Sequence, residues 1–410
     1  MSRHTDTNFG RASRDSAFRA CPFRMSELPP EIVDTVIDHL HDDKAALGAC
    51  TLVCKSWSIS SRYHLFDEHG VSVKPSNIHD FLSDISHSQS LLRDHLRCLT
   101  LRTEFALAPK QTFEWKDISI SLPHLPKLVS LRVHSQTQHI RFSYHVIPVI
   151  FLPQTLQNIT HLEVVRTSVH AADDIISLMC LFSRLRGAQF SWIHWRNCSS
   201  LISSLNAAFP PLKQLSLLHP RSPGEVIRCL SRLDPVPLLP RIDVGHIDTP
   251  EIPSVNRYLY ILGSSLDMFC VGLNDKYGTL LFQFKRQCLD RIADTTLDLS
   301  QNTSLRCLRL LECQAASPTI NLARVIQHVK STNLEILALD IYQWYVNSAA
   351  ADWEALDQYL LELWDVLRLK AVYIVTVPFA NFSRKLPRCD SQIILHIRTS
   401  SQIQSFLNSL

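Results

Sequence analysis

Nineteen histidines and twelve cysteines raise the question of metal or thiol chemistry first. A metal centre needs several ligands that converge. No Cys-x-x-Cys occurs, and the tightest thiol pair, Cys50 and Cys54, has the spacing of one helix face. His39 with His41 and His134 with His139 are the most suggestive histidine pairs, yet neither stands with carboxylates or thiols at ligand spacing. Phosphate-cradling loops are absent too: the chain has 9 glycines and neither Gly-x-Gly-x-x-Gly nor a Gly-x-x-x-x-Gly-Lys run. A Gly-x-Ser-x-Gly elbow and a His-Glu-x-x-His helix are likewise missing. The residues therefore predict no catalytic, cofactor or metal site. The chemistry to look for is recognition.

The composition is that of a folded protein: 46% apolar and 19% charged. No run of eighteen apolar residues occurs, so no membrane span is expected. The net charge of +3 is carried by residues 1–26, where Arg3, Arg11, Arg14, Arg19 and Arg24 face Asp6 and Asp15. This stretch reads as a disordered basic tail. The rest is near neutral, which predicts no nucleic-acid face. With no export signal and scattered cysteines, the expected compartment is cytosol or nucleus.

What must position a recognition surface is an internal repeat. Apolar triplets at i, i+3, i+5 recur from Leu96–Leu99–Leu101 to Leu369–Val372–Ile374. Their middle residues are 99, 131, 162, 188, 215, 242, 269, 308, 337 and 372, so four consecutive intervals are 26 or 27 residues. Helix-like segments lie between them. In "AADDIISLMCLFSRLR", Ile175, Leu178 and Phe182 share a face and Asp173 and Asp174 suit the first turn. "SPGEVIRCLSRL" and "SPTINLARVIQHVK" open with Ser-Pro, and "DWEALDQYLLELWDVLR" has apolar residues at three- and four-residue steps. No unit can bury its triplet alone, whereas stacked units share one core.

This pattern resembles leucine-rich repeats, which implies a solenoid with parallel strands on the concave face and helices on the convex one. That family places Asn or Cys three residues after the last apolar position, and only Asn274 and Cys313 match here. The array is degenerate.

Ahead of it, "LPPEIVDTVIDHLHDDKAALGACTLVCKSWSISSRYHLF" predicts three short helices, with Pro30 at a first helical position and Asp42 or Asp43 as a cap. Some forty residues cannot bury this much apolar surface internally. Leu28-Pro29, Glu31-Ile32, the apolar pair Ile37 and Leu40, then Val53-Cys54-Lys55 and Trp57 resemble the F-box. The resemblance implies docking to a Skp-type adaptor and, through it, to a cullin scaffold. Carried over, the adaptor-binding candidates are Leu28, Pro29, Ile32, Val33, Ile37, Leu40, Leu47, Val53, Cys54 and Trp57.

The fold class expected is thus α/β: a three-helix F-box module followed by a leucine-rich-repeat solenoid. Its segments would be a tail over 1–26, the F-box over 27–66, linker helices over 67–95 and repeats over 96–410. Residues beside the buried strand positions would form the face for an unknown protein substrate: Arg102, Arg132, His134, His161, Glu163, Gln189, Gln214, Arg241, Asp243, Arg309, Asp340 and Tyr373. The function this implies is a non-enzymatic substrate adaptor of a ubiquitin ligase, without nucleic-acid or membrane partners. The alternatives are a repeat scaffold whose N-terminal helices only cap the array, and a small-molecule sensor.

Overall fold

In the computed structural model the described residues are 28–67, 70–87, 91–103, 122–135, 147–197, 208–218, 222–274, 296–311, 325, 328–340, 353–367, 369–375, 386, 388–389, 395–398, 402–403 and 406. The basic tail, His139, Cys313 and most of the long insertion after Asn274 lie outside them. The chain divides into two compact units, Met1–Leu65 and Phe66–Leu410.

The first unit holds α1 (Pro30–His39), α2 (Lys44–Cys50) and most of α3 (Lys55–Asp67). Pro30 opens α1, where its missing N–H costs nothing, and Glu31 sits at the positive end of the helix dipole. Asp43 caps α2: its Oδ1 accepts from the N–H groups of Ala45 and Ala46, both at 3.0 Å. Val33, Ile37, Leu47, Cys50 and Trp57 form a small separate core, with Leu28, Leu40, Cys54 and Leu65 against it. His64 Nε2 bonds Asp38 Oδ1 at 2.8 Å and Ser60 Oγ donates to Asp34, which fixes α3 on α1.

The second unit is mixed α/β, built on a parallel sheet of twelve strands. They are β1 (Val71–Val73), β2 (Cys98–Thr103), β3 (Ser130–Ser135), β4 (His161–Val165), β6 (Gly187–Ser191), β8 (Gln214–Leu218), β9 (Arg241–Asp248), β10 (Met268–Asn274), β11 (Cys307–Leu311), β12 (Ile336–Asp340), β13 (Ala371–Val375) and β14 (Leu395–Arg398). β5 (Ser168–Ala171) and β7 (His194–Asn197) pair separately. The helices are α4 (Ile78–Ser86), α5 (Leu91–His95), α6 (Ile147–Ile150), α7 (Pro153–Leu156), α8 (Ala172–Cys180), α9 (Pro223–Leu230), α10 (Ile252–Leu262) and α11 (Trp353–Leu367).

All ten apolar triplets reach this sheet, and their thirty side chains belong to one buried cluster. Their middle residues stand in register: Leu99 opposite Leu131, then Leu162, Ala188, Leu215, Ile242, Phe269, Leu308, Leu337 and Val372. Burying one such side chain is worth about 1.5–3 kcal/mol, so the row is the main source of cohesion. Ile175 and Leu178 of α8 are in the same cluster, as is Phe182, expected on the same helix but following its end. Asp174 Oδ2 accepts from the N–H groups of His170 and Ala171, which starts that helix.

The structure departs from the sequence reading between 67 and 95. α4 and α5 are there, but Val71–Val73 is a strand, paired to β2 with Val71 opposite Leu99. Three residues carry no periodicity, and it is the neighbouring strand that makes them extended. Among the described residues, no helix is long and apolar enough to cross a membrane.

Candidate functional site

Side chains alternate across a strand, so the residues flanking each buried row point to the opposite, free face of the sheet. Thr100, Arg132, Glu163, Gln189, Ser216 and Asp243 are successive partners on that face, followed by Cys270, Arg309, Ala338 and Tyr373. Their chemistry changes midway from polar to apolar, dividing the face into two parts.

The polar part, on β3, β4, β6 and β8, is hollowed into a cleft of about 290 Å³. Ser130, Arg132, His161, Glu163, Gln189, Gln214 and Ser216 line it. Gly187 keeps it open, because a Cβ there would come within 3.1 Å of the His161 ring. Arg132 Nε lies 3.1 Å from Glu163 Oε2, and His134 Nε2 is 3.6 Å from Glu163 Oε1. The His134 contact, with the charges of Arg132 and His134, outweighs burial and holds the Glu163 carboxyl below its usual range. Burial, helped by the charge of Arg186, lowers His161, which is therefore neutral at pH 7.

The apolar part, on β10 to β13, is covered. Ile403 is fully buried against Cys307, Ile336 and Ala338, with Met268, Tyr373 and Phe406 packed around them. Tyr373 stacks on His396 at 5.2 Å and meets the Phe406 ring at 5.4 Å. Arg309 Nη2 donates to Asp340 Oδ2 at 2.8 Å, with only 5% and 13% of these side chains exposed. Burial pushes the Asp243 carboxyl up, although the Gly245 N–H donates to it at 2.9 Å and Arg309 attracts it. The Cys270 thiol is raised well above its ordinary value, first by burial and then by Asp243.

Because Asp243 titrates higher folded than unfolded, its ionised form opposes folding. That penalty is present above the folded pKa and fades as pH falls through it. Asp243→Asn keeps an acceptor for the Gly245 N–H and removes the charge. It is expected to raise Tm by about 2–4 °C at slightly alkaline pH, with a shrinking gain on acidification, measured by thermal melts across pH.

One end of these strands carries a ladder of ion pairs: Arg241–Asp267 at 4.0 Å, Asp267–Arg306 at 3.9 Å, Arg306–Glu335 at 3.2 Å and Glu335–Lys370 at 3.1 Å. Beside the cleft the same positions are Arg186 and Lys213, both exposed and directly preceding Gly187 and Gln214.

Of the twelve residues expected on this face, Arg132, His161, Glu163, Gln189 and Gln214 surround one cleft, with His134 joined through Glu163. Arg102 is exposed, opposite His134 on the neighbouring strand. Arg241 sits in the ion-pair ladder. Arg309 and Asp340 are not solvent-facing as expected, Arg309 being buried and Asp340 nearly so, while Asp243 and Tyr373 are half-buried and Tyr373 packs with Ile403 and Phe406.

The ten residues expected on the helices also separate. Val33, Ile37, Leu47 and Trp57 are internal, Leu28, Leu40 and Cys54 pack against them, and Pro29, Ile32 and Val53 are exposed. The sequence reading missed Val36, Leu52, Ile59 and Tyr63, which are exposed as well. Ile32 with Val36, and Ile59 with Tyr63, are i,i+4 pairs, the signal that marks one helix face. They alternate with Asp34, Asp38, Ser60 and His64, the residues that join α1 to α3.

Asn302 and Ser331 were missed too. Asn302 Nδ2 donates to the carbonyls of Leu259 and Gly263, and Ser331 Oγ to those of Thr303 and Leu305, which satisfies buried turns. Among the described residues, no group of three or more His, Cys, Asp or Glu is placed to hold a metal. No protein-family model matches the chain, and no curated protein matches it either.

Proposed function

We propose that the chain is the substrate-recognition subunit of an SCF-type ubiquitin ligase. The helices of the first unit are read as an F-box for a Skp-type adaptor, and the sheet unit as a degenerate leucine-rich-repeat solenoid whose free face holds a target protein. Catalysis then belongs to other subunits. This chain raises the target's effective concentration at a ubiquitin-charged enzyme.

The observation that carries the reading is the division of apolar residues in the first unit. Its small core is satisfied by Val33, Ile37, Leu47, Cys50 and Trp57, while Ile32 is 49%, Leu52 86%, Ile59 60% and Tyr63 49% exposed. Folding of this unit does not account for those side chains, whereas a partner's groove does.

A pull-down with purified Skp-type adaptor tests this. Ile32→Asp with Leu52→Asp is expected to abolish binding while circular dichroism stays unchanged, because both sites face solvent. Each charge at a dry interface should cost several kcal/mol, about a hundredfold or more in affinity. Ile37→Asp is the contrasting control, since it places a carboxylate in the core and melts the helices. Absence of binding by the intact chain would overturn the ligase reading and leave a non-catalytic repeat scaffold.

A further inference from the structure

We propose that the cleft on β3, β4, β6 and β8 takes an acidic segment of a partner polypeptide, in extended conformation. The inference rests on the reading that the free sheet face captures a protein, and it adds the chemistry of what is captured.

Charge divides along this face as polarity does. From β9 to β13 the cations are matched: Arg241 by Asp267, Arg306 by Asp267 and Glu335, Arg309 by Asp340 and Lys370 by Glu335. Among the cleft's lining residues the cation is Arg132 and the acid is Glu163, while Arg186 and Lys213 add exposed positive charge at its edge, directly before the lining residues Gly187 and Gln214. Glu163 is already shared by Arg132 and His134. A neutral His161 leaves the balance unchanged. A partly enclosed hollow with this excess of cations favours an anionic occupant, and its low-dielectric walls strengthen the preference.

The geometry favours a polypeptide over a small anion. Neighbouring strands stand about 4.8 Å apart, so the three steps from β3 to β8 span about 14 Å. The cations are spread along that distance instead of converging on one point. An extended peptide covers it with about four residues, at about 3.4 Å each. Gln189, Gln214, Ser130 and Ser216 offer both donors and acceptors along the path, which suits peptide amides as well as carboxylates. Single-stranded nucleic acid fits less well. Its binding relies on aromatic platforms, and no Phe, Tyr or Trp is among the described residues lining this cleft.

The test uses the full chain and a fluorescein-labelled glutamate-rich peptide, read by fluorescence polarisation at low ionic strength. Binding is expected, with Arg186→Glu plus Lys213→Glu lowering affinity at least about tenfold. Lys330→Glu, the same charge reversal on an exposed residue of the β11–β12 connection, should leave it unchanged, as should Ile32→Asp with Leu52→Asp. The proposal falls if the intact chain ignores the peptide, or if Lys330→Glu weakens binding as much as the cleft variant. It also falls if millimolar inorganic phosphate displaces the peptide completely, which would mark a simple anion site. A single-stranded oligonucleotide that binds more tightly through the same two residues would replace it with a nucleic-acid face. Adaptor pull-down by the same preparation separates the two readings, because docking can succeed while the acidic-segment proposal fails.

Discussion

Arg309→Met is expected to destabilise the protein by about 3–5 kcal/mol, seen as a large fall in the urea midpoint of the sheet unit. The guanidinium is 5% exposed and makes two bonds to Asp340, through Nη2 at 2.8 Å and Nε at 3.4 Å. Met fills similar volume but leaves the Asp340 carboxylate without that partner in a covered site, near a second carboxyl at Asp243. Desolvation of the stranded charge, more than loss of attraction, sets the size of the effect. Arg309→Met with Asp340→Leu should therefore recover most of the loss, since a buried pair exchanged for apolar residues is often neutral. A loss below about 1 kcal/mol in the single variant would instead match a pair exposed to water. It would mean that Ile403 and Phe406 do not keep this part of the sheet covered in solution.

Phe269→Ala is the second large effect, also about 3–5 kcal/mol. Phe269 is fully buried near the start of β10, with Ile242 as its partner on one side and Leu308 on the other. Truncation removes the contacts of an aromatic ring and leaves a void that two in-register strands and the helices behind them cannot all close. Phe269→Leu keeps most of the volume and should cost less than about 1.5 kcal/mol. Chemical denaturation of the two variants side by side checks the row directly. Similar, small losses would mean that the row is loosely packed at β10.

The strands of the large sheet were legible wherever an apolar triplet stood, because i, i+3, i+5 specifies a buried first turn followed by two inward strand positions. β1, β14 and the β5–β7 pair have no such triplet. "VSV" and "SVHA" become strands through neighbours that sequence periodicity does not report. The residues of the free face followed from parity. Which of them meet water did not, because Ile403 covers Cys307 and Ile336 from far along the chain. In the first unit, α1 has apolar residues on two faces, and periodicity alone assigns neither inward. The register with α2 and α3 does, burying Val33 and Ile37 and leaving Ile32 and Val36 outside.

The row of matched middle residues has a consequence for heredity. Gly187 is the partner of Gln214, so the two are equivalent places in successive strands, 214 − 187 = 27 residues apart. A recombination that joined Arg186 directly to Gln214 would delete a whole period and bring Leu215 against Leu162, apolar against apolar. Losing one residue inside β6 would reverse the facing of every residue after it in that strand. Lineages carrying such a chain can thus tolerate unequal crossing-over between periods more readily than a one-codon slip within a strand, and change in length is expected to proceed in whole periods.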